Sequence, residues 1–403
     1  MKGKKQNSKY NLLFKKKSLK NKKAKNLLNK KVYNRKRHLN KSRIKPFRLF
    51  SLFKILLLII FVLLMIIKKY KKRKKLRIGV VGLSHEINVG NNLIKFAISL
   101  LLKKLGFIPY IIGTSWTSWS NTDISFINKT TNLIIVKKNF NELKREDFDI
   151  LMVNSDQTWN RFGYDMLDYG YLKFAEKWNV KKFVYGASLG VNHWILNSRE
   201  EKIAKELLKN FTGISIREQT SIDLVKSHFG ITPEFVLDPT LLIDKKDYLD
   251  LVKNFPNNKT INGNYIFTYG LGRKKKKILN NLVLKASNVL NYKIYEYILN
   301  KKINPIEDFI YYIANCKAVL TNSFHGTIFS MIFNKPFITL CKNNDPRFQS
   351  LGNVFDLKNR LISYNVVTPD ISLLTTPLNL NMTLIKTLKI KSINFIKKNL
   401  DLI

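Results

Sequence analysis

Lys317-Ala318-Val319-Leu320-Thr321-Asn322-Ser323-Phe324-His325-Gly326-Thr327 decides how this chain is built. An apolar run reaches a short polar hinge, and a helical pattern then continues from Thr327 to Phe333. A strand that feeds straight into a helix is the repeating unit of parallel α/β sheets. His325 falls at the carboxyl end of the predicted strand, where open α/β sheets bind their ligands. A helix start at that point offers free backbone N–H groups and the positive end of the helix dipole, both attractive to anions. A histidine there is able to give or take a proton beside a bound phosphate or carboxylate. The plainer reading is that His325 caps the helix.

Outward from this stretch the same alternation fills the body of the chain. Strands are expected over Ile78–Leu83, Ile108–Ile112, Leu133–Val136, Ile150–Val153, Phe183–Tyr185, Gly213–Ile216 and Phe235–Leu237, with helices over Asn92–Leu105, Glu200–Asn210 and Ser221–Phe229. The pattern then restarts with strands at Tyr265–Tyr269, Lys293–Tyr297, Ala318–Leu320 and Phe337–Leu340, separated by helices at Lys276–Leu290, Glu307–Asn315 and Thr327–Phe333. Two successive alternating series imply an α/β protein of two Rossmann-like domains, 77–243 and 244–380, with a cleft between them. A last helix, inside 381–403, is expected to pack back across the first domain.

Charge sets the amino-terminal part apart. The chain carries a formal charge of +45, and residues 1–48 hold 20 Lys or Arg and no acid. Such a leader cannot bury enough apolar surface to offset its ordering entropy, so disorder is expected. Residues 49–67 are apolar except for Ser51 and Lys54, and a basic linker, 68–76, follows. This reads as an uncleaved membrane signal anchor, with a strongly interfacial helix as the other reading; a full span needs roughly 20 apolar residues. A single-pass membrane protein follows from the anchor, its body facing a Golgi-like lumen or a cell envelope. Lysine runs without interleaved aromatics give no specific nucleic-acid signal, and anionic lipid is the simpler partner for them. Cys316 and Cys341 are the only cysteines and read as buried free thiols. No His, Cys or Asp cluster has metal-ligand spacing, so no metal is expected.

Four loops at predicted strand ends carry polar chemistry. Ser84 to Asn92 places Asn88, Gly90 and Asn91 before a helix, as either a weak phosphate or sugar loop or a plain turn. Asn154-Ser155-Asp156-Gln157-Thr158-Trp159-Asn160 follows an apolar run. Asp, Gln and Asn bracket sugar hydroxyls and Trp gives a platform for a sugar face, but the same residues would also suit a capped helix start. Ile214-Ser215-Ile216-Arg217-Glu218 delivers an arginine suited to a carboxylate or phosphate, or else a simple Arg217–Glu218 surface pair. The His325 loop is the fourth, with Arg347 and Arg360 as further cations nearby in sequence.

Taken together these residues resemble the polysaccharide pyruvyl transferase family. The matching segments are Asn88 to Leu105, Asp149 to Trp159, Tyr185 to Gly190, Ile214 to Glu218, Val236 to Leu242, Thr321 to Phe337 and Arg347 to Arg360. The resemblance implies a two-domain fold of the glycosyltransferase GT-B type. It also implies transfer of the pyruvyl group of phosphoenolpyruvate onto two sugar hydroxyls of a glycan acceptor as a cyclic ketal, with release of phosphate and no cofactor beyond the donor. By the same resemblance His325 is the acid/base or phosphate partner, Asp156 activates or orients an acceptor hydroxyl, and Arg217 clamps the donor. Asn91, Gln157, Asn322, Ser323, Phe324, Gly326 and Arg347 complete the expected substrate-binding set. Two positions depart from the family pattern: Ser323 stands where some members carry an arginine, and Asn154 where a glycine is usual. The competing readings are a GT-B-type glycosyltransferase using a nucleotide sugar, and a non-catalytic, membrane-tethered glycan-binding relative.

Overall fold

The computed structural model describes residues 54–61, 75–82, 88–114, 126, 129–130, 132–136, 140–160, 166–253, 261–298, 305–366 and 369–403. The chain divides into a unit covering Met1–Lys74 and another covering Lys75–Ile403. In the first unit the description is confined to 54–61, a helix exposed along its length. Among the described residues no helix is long and apolar enough to cross a membrane, which leaves the expected anchor over 49–67 without support. The rest of that anchor, the leader 1–48 and most of the basic linker lie outside the described residues.

In the second unit the apolar runs become two wholly parallel sheets. The first contains β1 (Arg77–Val81), β2 (Ile108–Thr114), β3 (Asn132–Val136), β4 (Ile150–Val153), β5 (Lys181–Ala187), β6 (Gly213–Ile216) and β7 (Glu234–Phe235). Its order is β3-β2-β1-β4-β5-β6-β7. The second contains β8 (Tyr265–Tyr269), β9 (Lys293–Glu296), β10 (Ala318–Thr321), β11 (Phe337–Cys341) and β12 (Leu361–Ser363), in the order β12-β11-β10-β8-β9. Every residue of β4 and of β10 is buried, the double-sided burial that makes parallel strands read as continuous apolar runs. Strand order reverses between β1 and β4 in one sheet and between β8 and β10 in the other. Crevices for ligands open at such switch points, beyond the carboxyl ends of the strands.

The helices are α1 (Val89–Lys104), α2 (Met166–Tyr171), α3 (Ser198–Leu208), α4 (Ile222–Phe229), α5 (Lys245–Val252), α6 (Arg273–Leu290), α7 (Ile306–Asn315), α8 (Phe324–Ile332), α9 (Pro346–Phe355) and α10 (Met382–Asn399). Caps explain why two of them start earlier than the apolar pattern suggests. The Asn88 side chain accepts from Gly90 N at 2.9 Å and starts α1, and the Ser323 hydroxyl accepts from Gly326 N at 3.3 Å and starts α8. Ser323 is therefore the cap, and His325 lies inside the first turn.

One apolar core joins the sheets. It runs from Ile78, Val80 and Met152 to Phe267, Val319 and Phe337. Aromatic contacts stitch it together: Tyr248 meets Phe96 at 5.9 Å and Phe329 at 4.9 Å between ring centroids. The helix α10 follows the second sheet in sequence but packs on the first. Phe395 lies against Phe183 and Tyr185, Leu237 N donates to Ser392 Oγ at 2.9 Å, and Thr212 Oγ1 donates to Asn399 Oδ1 at 2.7 Å.

Candidate active site

The loop after β4 holds Asp156 at φ 102°, a left-handed conformation that side chains rarely adopt. Surrounding bonds fix it there. The Asp156 carbonyl accepts from Thr158 N at 2.6 Å and Ser188 N at 3.0 Å, and Ser155 Oγ donates to Gly186 O at 2.8 Å. Strain of this kind costs of order 1–3 kcal/mol and persists only where neighbours over-determine it. Its effect is to aim the carboxylate inward. Oδ1 accepts from Gln157 N at 2.8 Å and from Arg217 Nη2 at 2.9 Å, and no hydrogen bond from the described residues reaches Oδ2.

Arg217, delivered by β6, is fully buried between two acids. Its Nη1 donates to Asp238 Oδ2 at 2.6 Å, and its guanidinium lies 4.7 Å from the centroid of the Phe324 ring. Asp238 opens the segment after β7, where Oδ1 accepts from Thr240 N at 3.0 Å and Thr240 Oγ1 at 2.6 Å. Burial alone would push both acids up. For Asp156 the Arg217 and His325 charges outweigh it, and for Asp238 the His325 contact and the Arg217 charge do, so both stay below the usual carboxylate range. Asp238 is held far below it. The same pairing raises Arg217 against its own burial. Glu218 behaves differently. It is fully buried, accepts from Ser188 Oγ and from Leu189 N at 3.0 Å, and is pushed up by burial.

His325 enters from the second sheet. Its Nε2 faces Asp238 Oδ2 at 3.6 Å, long for a hydrogen bond, and no group among the described residues completes that nitrogen. The other nitrogen is turned to the start of α1: a Cβ added to Gly90 would fall 1.9 Å from Nδ1. Only glycine lets the imidazole lie against that helix. Asn91 follows, buried, with neither Nδ2 nor Oδ1 partnered. Phe324 makes an edge contact with His325, and its ring lies between Arg217 and Arg347, the latter at 5.9 Å. Arg347 Nε and Nη2 donate to the two oxygens of Asp345, at 3.1 and 2.8 Å.

The polysaccharide pyruvyl transferase family model matches residues 88–341, a stretch that contains Asp156, Arg217, Asp238 and His325. The chain belongs to that family. No curated protein sequence matches it significantly. Among solved structures it is similar to a UDP-GlcNAc 2-epimerase from Neisseria meningitidis bound to UDP-GlcNAc, at 9% identity, TM-score 0.50, and coverage of 80% of this chain and 99% of that one. It is also similar to S. aureus MnaA in a co-structure with UDP (13% identity, 82% and 98% covered, TM-score 0.48). A third is Arabidopsis thaliana UGT89C1 complexed with UDP-L-rhamnose (10% identity, 82% and 99% covered, TM-score 0.49). At 9% identity the epimerase likeness is one of fold: two parallel α/β halves of the GT-B-like class.

In this pyruvyl transferase family member, Asp156, Arg217, Phe324 and His325 come together. Asn91 stands on the helix that His325 touches. The other expected residues serve the frame or the rim. Gln157 packs over Gly190, where a Cβ would fall 2.1 Å from its Oε1. Asn322 holds the Leu271 backbone through N at 2.7 Å and O at 2.9 Å, and Ser323 caps α8. Gly326 makes room for Thr321, whose Oγ1 would lie 2.4 Å from an added Cβ.

Three readings are corrected. Trp159 is no sugar platform: it is 1% exposed, stacks on Tyr171, and its Nε1 donates to Gly170 O at 2.9 Å. Arg217 and Glu218 are not a surface pair but two buried groups with different partners. Arg360 is no site cation, because its guanidinium donates to the carbonyls of Phe337, Leu373, Thr376 and Pro377 and clamps backbone. Sequence reasoning gave Asp238 no role of its own, took Glu218 only as a surface partner of Arg217, and saw Gly90 only as part of a loop. Asp238 had a usable signal, standing as Asp-Pro-Thr at a predicted strand end. One small cavity is lined by members of the cluster, and a larger one lies beyond the carboxyl ends of β11 and β12. The first, of about 20 Å³, lies between Arg217, Asp238, Phe324 and Arg347, and the second, of about 430 Å³, lies beside Lys342, Asp345, Phe348, Gln349 and Lys358.

Proposed function

We propose that the protein moves the pyruvyl group of phosphoenolpyruvate onto two hydroxyls of a glycan as a cyclic ketal and releases phosphate. The observation that carries this reading is the buried Asp156–Arg217–Asp238–His325 cluster, built from the carboxyl ends of both sheets in a member of this family. The chemistry needs a proton at the methylene carbon while positive charge builds on the neighbouring carbon. His325 supplies that proton, with Asp238 providing the negative charge beside the ring. The first acceptor hydroxyl adds its oxygen to the electron-poor carbon and loses its own proton, and Asp156 Oδ2 orients or accepts it. The second hydroxyl then forms the other C–O bond as the bond to phosphate breaks, and its proton leaves with the phosphate. Two protons are lost from the diol, one is gained by the methyl group and one departs with phosphate, so the account balances. Arg217 acts by holding the two aspartates; each Nη gives them one N–H, and the Nε–H, which has no partner among the described residues, is left for the donor together with the second N–H of each Nη. The 430 Å³ cavity, which Lys342, Asp345, Gln349 and Lys358 line together with apolar side chains, is the seat proposed for the acceptor sugar.

The test is phosphate release by the full chain from phosphoenolpyruvate with galactose- or mannosamine-type acceptors, and mass spectrometry of the acceptor for the ketal. His325→Ala is expected to lower the rate about a hundredfold, as loss of an acid–base group usually does. No turnover of phosphoenolpyruvate, together with thermal stabilisation by a nucleotide sugar, would move the assignment to sugar transfer.

A further inference from the structure

Unpartnered buried polar atoms are concentrated in one region of this molecule. Apart from Arg77 Nε, every such side-chain atom among the described residues belongs to Asn91, Asn154, Arg217, Thr268, Tyr269 or His325. Asn154 follows β4, Arg217 follows β6, Thr268 and Tyr269 end β8, His325 follows β10, and Asn91 lies in the helix that follows β1. The six positions thus sit at the carboxyl ends of the strands of both sheets. Each buried polar group without a partner weighs against folding. A fold that leaves several together has them ready for a ligand.

Their chemistry narrows what that ligand is. Asn91 Nδ2 and Arg217 Nε are donors, Asn91 Oδ1 and Asn154 Oδ1 are acceptors, and Thr268 Oγ1, Tyr269 Oη and His325 Nε2 can donate to a ligand that only accepts. The Tyr269 hydroxyl stands beside the Val89 N–H, short of hydrogen-bond geometry, at the first residue of α1. His325 Nδ1 lies against the second residue of that helix, and Asn91 is the third. The helix is 16 residues long with no acid in its first turn, so its positive end is uncompensated. Asp156 and Asp238 are the nearby negative charges, and both are occupied by Arg217. Buried groups able to donate, set at the positive end of a long helix, suit a group that only accepts hydrogen bonds and carries more than one negative charge.

We propose that the first turn of α1, with Asn91, Tyr269 and His325, is the seat of the donor's phosphate group. The inference rests on the pyruvyl-transfer reading and adds to it where the leaving group is held. It assigns α1 of the first sheet to the phosphate and β8 and α8 of the second to its other side, so donor binding spans both halves. Held there, the phosphate has its developing charge stabilised as the C–O bond to it breaks.

Inorganic phosphate is the probe, with the full chain as the sample. Phosphate is expected to raise the melting temperature of the wild type, as any ligand of the folded state does. Asn91→Asp keeps the shape, and an acid in a first turn suits the helix dipole, so its own melting temperature should hold or rise. Its phosphate dissociation constant should rise about tenfold or more, from the lost donor and the added repulsion. Tyr269→Phe should raise KM for phosphoenolpyruvate more than it lowers kcat. Unchanged phosphate and phosphoenolpyruvate constants in both variants, with turnover intact, would reject the seat and leave pyruvyl transfer standing. Phosphate binding that Asn91→Asp abolishes, without any consumption of phosphoenolpyruvate, would support the seat and reject the transfer. A shift in binding of the acceptor sugar alone would reject the seat as drawn and give those donors to the acceptor.

Discussion

Asp238 shows what a single residue does at the centre of this fold. Its two oxygens serve Thr240, Arg217 and His325, which come from three different segments. Burial opposes its ionisation, and the His325 contact and the Arg217 charge overcome it, so its folded-state pKa lies well below that of a free carboxylate. A lowered folded value means stability that is complete above the unfolded pKa, near 3.9 for Asp, and lost as pH falls toward the folded value. Asp238→Asn should therefore cost on the order of 3 kcal/mol at pH 7, as breaking a buried pair does. In urea titrations the gap to wild type should stay level down to about pH 5 and narrow only below about pH 4. A gap that widens on acidification would contradict the pairing. Glu218 works in the opposite sense, since burial raises it and its ionisation weighs against folding as pH climbs past the unfolded value. It is present in both proteins and drops out of the comparison.

Helices α1 and α8 meet in their first turns, at a residue without a side chain, Gly90. Ala is a better helix former than Gly by about 1 kcal/mol, so helix propensity alone predicts that Gly90→Ala stabilises α1. Contact with the imidazole predicts the reverse for function, because the new Cβ would fall 1.9 Å from His325 Nδ1. Circular dichroism should show the helix retained while phosphate release drops about a hundredfold, in the range of a lost acid–base group. Activity near wild type would mean the ring relocates freely.

The elements themselves were largely legible in the sequence. β4, β6 and β8 lie where their runs predict them, because buried parallel strands are mostly apolar; Ser215 in β6 and Thr268 in β8 are too few to hide the pattern. What escaped had weaker signatures. β12 is three residues long, and α9 starts at Asp345-Pro346, a cap that the reading took for a cation loop. The site was half legible for a similar reason. Asp156, Arg217 and His325 stand at strand ends and are conspicuous there. Their partners are set by which strands lie side by side, and strand order has no local signal. Trp159 misled because its residue type suits both a sugar and a core, and only its neighbours Tyr171 and Phe229 decide between them.

Across the whole molecule, the last helix ties the two halves together. Phe395 fills the space beside Phe183 and Tyr185, and Leu237, one residue before Asp238, is held by Ser392. Truncating a buried Phe costs about 3–5 kcal/mol, and in a body of this size each kilocalorie moves the midpoint by roughly 2–4 °C. Phe395→Ala should accordingly lower the calorimetric midpoint by about 10 °C. A fall of under about 2 °C would show that α10 adds little to the first sheet.

The route of that helix also sets an order of events during synthesis. It is translated after every strand of both sheets, so the surface that Phe395 and Ile396 cover stays open while the second half is still being made. The amino-terminal half therefore leaves the ribosome as an unfinished body with an uncovered apolar face, in need of shelter until its own carboxyl-terminal segment arrives.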